Sequence, residues 1–243
     1  MINFFKYMLR DTWQLMAFFT IALAGWGFIE LAALVTAETT LTIDNRVVLM
    51  FRNEYDLSDP LGPHWVEELM RDITALGGVG ILVLVTLAST LALVLVRKPK
   101  AAAMVIIGIA TGMALSFSLK YGFSRPRPEL VPHGSYVYTS SFPSGHAMMS
   151  ALVYFTIAGL LAVQQTARRM RTFCFAIAAL LTISIGISRV YLGVHYPSDV
   201  VAGWLVGCAW ALLIYIIYRW RQLKKLRKLV NPQALSLEIG KHR

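Results

Sequence analysis

Six apolar runs divide this chain, at roughly 13–36, 73–96, 101–119, 146–164, 172–190 and 199–218. A helix crossing a bilayer needs about 20 apolar residues, and a backbone without water must satisfy its own hydrogen bonds. The runs therefore predict an all-α polytopic membrane protein, a bundle of six transmembrane helices. Composition agrees, with 57% hydrophobic and only 15% charged residues. The third run is the shortest and richest in Gly and Ala, which suits close helix packing in the bundle interior. The first run ends at Val35-Thr36-Ala37, which resembles a signal-peptidase site. At about 24 residues it exceeds the 7–15 of a signal h-region, so it reads as a retained helix. No internal repeat is evident. One membrane domain, residues 1–220, is expected, followed by a basic cytoplasmic tail, 221–243.

The formal charge of +10 could suggest nucleic-acid binding, but the positions of the charges exclude it. Basic residues gather in short tracts beside the apolar runs, where they set topology and meet anionic lipid. Lys6 and Arg10, then Arg97, Lys98 and Lys100, then Arg168, Arg169 and Arg171, and the tail from Arg219 to Lys228 fall on one face. That face reads as cytoplasmic, with both termini on it. The opposite face carries the acidic loop 38–72 and the segments 120–145 and 189–198. Cys174 and Cys208 lie inside apolar runs and read as small hydrophobes, implying neither a disulfide nor a metal site.

Against this background one set of polar residues stands out at the non-cytoplasmic face: Lys120, Arg127-Pro128, Pro143-Ser144-Gly145-His146, Ser188-Arg189, His195 and Asp199. Ionisable groups beside membrane spans are costly and mark function. Lys and Arg bind phosphate oxygens, Arg127 as a planar fork and Lys120 as a point charge. Ser144 is a plausible N-cap, and the helix start behind it offers N–H groups and a positive dipole end to an anion. Gly145 permits close approach of an oxyanion. His146 is placed to donate a proton, and Asp199 four residues after His195 can fix an imidazole tautomer and leave the other nitrogen nucleophilic. Each element has a plainer reading, as interfacial cation, helix cap or first-turn carboxylate, but together they point to phosphate chemistry at a membrane surface.

These residues resemble the three-part signature of the type 2 phosphatidic acid phosphatase superfamily: Lys, six residues, Arg-Pro; Pro-Ser-Gly-His; and Ser-Arg, five residues, His, three residues, Asp. The resemblance implies a metal-independent, cofactor-free lipid phosphatase with a phosphohistidine intermediate. His195 would be the nucleophile, Asp199 its orienting carboxylate and His146 the acid and base. Lys120, Arg127, Arg189, Ser144 and Gly145 would hold the phosphate. Implied partners are the bilayer and a lipid phosphate or diphosphate, with undecaprenyl diphosphate preferred in a bacterial inner membrane because the site faces outward. Lipid A 1-phosphate, phosphatidylglycerophosphate, phosphatidic acid, a phosphotransferase reaction and a non-enzymatic binder are the alternatives. Arg125, which also precedes a proline, reads as a secondary phosphate or lipid contact. Glu30 reads as a packing or interfacial residue, and loop 38–72 as an amphipathic segment over the site. His64 and His133 read as ordinary loop residues. Tyr136, Tyr138 and Phe142 are candidates for an acyl or prenyl entrance.

Overall fold

A computed structural model describes residues 2–128 and 140–230, with side chains from 12 to 128 and from 140 to 223. Its elements, in chain order, are helices α1 (Ile2–Thr36), α2 (Leu41–Leu49), α3 (His64–Ala75), α4 (Val79–Leu95), α5 (Pro99–Gly122), α6 (Gly145–Gln164), α7 (Arg168–Tyr191) and α8 (Pro197–Val230). Among the described residues the only extended pairing is an isolated bridge between Arg52 and Pro60. Parts of α1 and α8, together with α5, α6 and α7, are long and apolar enough to cross a membrane, and α3 with α4 makes a sixth, bent span. The all-α, multi-pass expectation holds.

The second apolar run differs in detail from its sequence reading. It is two helices meeting at 49° across Leu76–Gly78, because Gly77 and Gly78 interrupt the helix. Tyr154 of α6 donates to the Leu76 carbonyl at 2.7 Å, satisfying an acceptor that the break exposes. With 17 residues α4 is about 25 Å long, slightly short of a bilayer core, and α3 completes the crossing obliquely.

The most enclosed span is α6 rather than the small-residue third run that forms α5: 61% of its apolar window is buried, against 39% in α5. Helices α5, α7 and α8 surround α6, and α1 lies along α8, where Trp13 meets Tyr215 edge-on at 5.7 Å. Large apolar side chains such as Phe19, Leu84, Leu91, Phe173 and Leu180 point outward, as lipid-facing surfaces require. Consecutive spans alternate in direction, so the C-terminal ends of α5 and α7 and the N-terminal ends of α6 and α8 share one end of the bundle. Arg97, Lys98, Lys100 and Arg221 line a hollow at the other end, beside the start of α5. Helix α8 continues past residue 220 to Val230, so no break marks the domain boundary expected there.

Candidate active site

The site exists because α6 and α8 touch backbone to backbone. A Cβ on Gly203 would lie 2.7 Å from the Ser144 carbonyl oxygen, and one on Gly207 would lie 2.3 Å from that of Met148. Two glycines at this small-xxx-small spacing let the first turns of both helices meet. Ser144 caps α6 by accepting from the Ala147 N–H, while its own N–H donates to the Asp199 carbonyl at 2.9 Å. The Pro-Ser-Gly-His and His-x-x-x-Asp segments are thereby locked together.

His195 is buried in the turn between α7 and α8. Its Nδ1 lies 3.4 Å from Asp199 Oδ2 and 3.3 Å from Ser141 Oγ. Its Nε2 accepts from Arg127 at 3.2 Å, and the same Arg127 nitrogen donates to the Val194 carbonyl at 2.9 Å. A guanidinium can only donate, so Nε2 carries the lone pair and Nδ1 the proton facing Asp199. Burial, helped by the Arg189 and Arg127 charges and opposed by Asp199, draws His195 down from its ordinary value to about 3. At neutral pH the ring is therefore the uncharged species that a nucleophile must be.

The Asp199 carboxylate is fully occupied. Oδ2 accepts from the Tyr196 N–H at 2.9 Å and, in a very short hydrogen bond, from the Ser141 hydroxyl; Oδ1 accepts from Arg125 at 2.5 Å. Lys120 donates to the Ser140 carbonyl at 3.1 Å, and its Nζ would stand 3.8 Å from a Cβ at Gly145. Arg189 donates to Thr74 of α3 at 3.0 Å. Among the described residues, the Nε groups of both Arg127 and Arg189 are buried without a hydrogen-bond partner. An unmet guanidinium donor is a place for an oxyanion.

These groups close one end of a cavity of about 480 Å³. Lys120, Arg127, Gly145, His146, Arg189 and His195 line its polar end, and Leu82, Thr86, Leu87, Ile109, Met113 and Phe117 of α4 and α5 line a long apolar arm. Six of the eight expected site residues thus face one space. Asp199 stands behind His195, as an orienting carboxylate should. Ser144 is fully buried, its hydroxyl is used as a helix cap, and it does not line the cavity.

Three expectations are corrected. Arg125 is no phosphate contact: it turns away from the cavity into buried ion pairs with Asp199 and Asp44. Phe142 lines no entrance, being fully buried against Phe28 and Phe123. His64 begins α3 rather than lying in a loop. Glu30 is exposed on α1, and loop 38–72 contains helix α2 and most of α3, which runs on to Ala75. His133, Tyr136 and Tyr138 lie outside the described residues. Ser141, Thr74 and Asp44 were missed. Ser141 had a weak signal, a hydroxyl two residues before Pro143; the other two had none.

Residues 101–223 match the PAP2 superfamily. The chain belongs to this superfamily. It is 32% identical over 168 residues to phosphatidylglycerophosphatase B of Bacillus subtilis, covering 68% of this chain and 80% of that protein. It is 28% identical over 148 residues to an undecaprenyl-diphosphatase of Sulfolobus acidocaldarius, covering 59% and 68% respectively. The fold superposes on the crystal structure of a transmembrane PAP2-type phosphatidylglycerolphosphate phosphatase from Bacillus subtilis with a TM-score of 0.73. That match has 26% identity and covers 83% of this chain and 96% of the other. In this superfamily member, the matched region takes in α5 to α8 and leaves α2 and α3 outside.

Proposed function

We propose that this PAP2-type membrane lipid phosphatase works through a phosphohistidine on His195, with its site at the non-cytoplasmic face. One observation carries the reading: a single cavity joins three cations and two imidazoles to an apolar arm between α4, α5 and α6. Such a shape suits a ligand with a phosphate head and a hydrocarbon tail. When phosphate enters, Arg127 exchanges His195 Nε2 for a phosphate oxygen and uncovers the lone pair. Nε2 then bonds to phosphorus as the bond to the leaving oxygen breaks, and His146 gives that oxygen a proton. Water next attacks the phosphohistidine, His146 takes its proton, and the P–N bond breaks. Lys120, Arg127 and Arg189 hold the equatorial oxygens, supplying the positioning and charge stabilisation that phosphoryl transfer mostly needs. Ser144 supports the helix start from behind, and the N–H groups at Gly145 and His146 face the anion.

The outward-facing orientation, supported by the loop charges, favours a polyprenyl diphosphate such as undecaprenyl diphosphate. A second reading, phosphatidylglycerophosphate, is supported by the longer match to phosphatidylglycerophosphatase B. Purified protein assayed on both lipids and on lipid A 1-phosphate, ranked by kcat/KM, tests the choice. Phosphate release from none of them would sink the phosphatase reading. Radiolabel passing to another lipid instead of water would make the protein a phosphotransferase. The phosphoryl charge is met here by side-chain cations, so 5 mM EDTA (a concentration of about this order) is expected to leave kcat within about twofold; strict dependence on added Mg²⁺ would count against the mechanism.

The apolar arm gives a separate prediction. Met113→Trp fills it, and the expected result is a loss of about tenfold or more in kcat/KM for a long-chain lipid phosphate. A short-chain, water-soluble phosphate should be turned over within about threefold of wild type. Equal losses on both substrates would mean that the arm does not hold the tail.

A further inference from the structure

Asp44 and Arg125 form a buried charge chain that no motif of the phosphatase signature contains. Arg125, between α5 and α6, donates through one nitrogen to Asp199 Oδ1 at 2.5 Å and through the other to Asp44 Oδ2 at 2.7 Å. Its side chain is 9% exposed, and those of Asp44 and Asp199 are 3% and 0% exposed. The guanidinium also lies 4.3 Å from the centre of the Tyr196 ring. Asp44, on α2, accepts from the Ser198 N–H at 3.0 Å and the Ser198 hydroxyl at 2.6 Å. It therefore caps the first turn of α8 from another helix, next to Asp199 in sequence.

Burying two carboxylates and a guanidinium is expensive unless each is fully paired, and removing one partner strands the others. The pairing here has a geometric result. Arg125 takes one Asp199 oxygen and leaves the second for Ser141, Tyr196 and His195, which fixes the carboxylate plane. Asp44 holds both the far side of Arg125 and the backbone that carries Asp199. We propose that Asp44 and Arg125 are positioning residues for catalysis, setting the Asp199 carboxylate and through it the line of attack of His195 Nε2. The outer-loop helix α2 is thus part of the catalytic apparatus, although it lies outside the region that matches the superfamily. The proposal rests on His195 being the nucleophile. Neither residue lines the cavity, so substrate binding should be spared.

The test compares Arg125→Gln, Arg125→Lys and Asp44→Asn with wild type and His195→Ala, all purified in detergent. Rates are measured on undecaprenyl diphosphate or phosphatidylglycerophosphate, whichever wild type turns over faster, and normalised to folded protein counted from the monodisperse gel-filtration peak. Arg125→Gln is expected to lower kcat by about 100-fold, as a misplacement near 1 Å can, with KM within about threefold. Asp44→Asn, which keeps the shape and loses the charge, should lower kcat by about tenfold with KM unchanged. Arg125→Lys should recover part of the Gln loss, because one ammonium can reach Asp199 without bridging both carboxylates. A kcat within about threefold of wild type in both Arg125→Gln and Asp44→Asn would overturn the proposal. So would a loss confined to folded yield, with normal turnover per folded protein, since the pair would then be purely structural. An active His195→Ala in the same series would instead overturn the underlying nucleophile assignment.

Discussion

Replacing His195 by alanine should lower kcat by about 10⁴-fold or more while leaving KM within about threefold. The magnitude follows from the role: deleting a nucleophile removes the covalent route altogether and leaves only binding and electrostatic stabilisation, as in hydrolases with comparable machinery. KM is spared because Lys120, Arg127 and Arg189 line the cavity with their own side chains, and among the described residues two of them keep an unpartnered Nε. The vacated ring site also offers a positive control. Added imidazole should restore measurable turnover to His195→Ala, and labelled phosphate should no longer be trapped on the protein. Asp199→Asn tests the same arrangement one step back, since an amide can present its NH₂ to Nδ1 and reverse the tautomer, moving the proton onto Nε2. Turnover above about a tenth of wild type in His195→Ala would end the nucleophile assignment, whatever the other residues did.

The membrane fold was legible because its signal is composition over long windows, which packing cannot override. The helix ends were nearly legible too: Ser144 before α6 and Pro99 at the start of α5 are local cues. The break at Gly77 and Gly78 was missed because the apolar run continues through it, and only tertiary contacts decide whether a glycine pair bends a span. At the site, chemistry-bearing residues were found through spacing along the chain, and spacing cannot tell a group that faces a cavity from one that faces away. Arg125 and Arg127 show the limit. They lie two residues apart beside prolines, yet one meets His195 and the other pairs with Asp199 and Asp44. Asp44 is separated from Arg125 by 81 positions and from Ser198 by 154, so no local pattern joins them. Ser144 illustrates the converse: its cap role was readable from sequence, but its burial behind the cavity wall was not.

Gly207→Leu is expected to abolish activity and lower the melting temperature of the purified protein, although residue 207 touches no site group. A Cβ there would lie 2.3 Å from the Met148 carbonyl oxygen and 2.8 Å from the Ala151 Cβ. Both belong to the body of α6 and neither can swing aside, so the helices must separate. Overpacking of this kind costs about 1–3 kcal/mol or more. The functional cost is larger, because α6 carries His146 and α8 carries Asp199, and the Ser144 to Asp199 backbone bond that registers them is one turn from the clash. Losing that register by about 1 Å is enough to cost about 100-fold in rate. Gly80→Ala is the control, since a Cβ there meets nothing within 4 Å among the described residues, and both activity and melting temperature should stay at wild-type values. If Gly207→Leu matched Gly80→Ala, backbone contact between α6 and α8 would not be what assembles the site. If it alone fails, the two glycines rank with the polar signature as requirements for phosphoryl transfer, because the signature residues come from separate helices and act only at the distance those glycines permit.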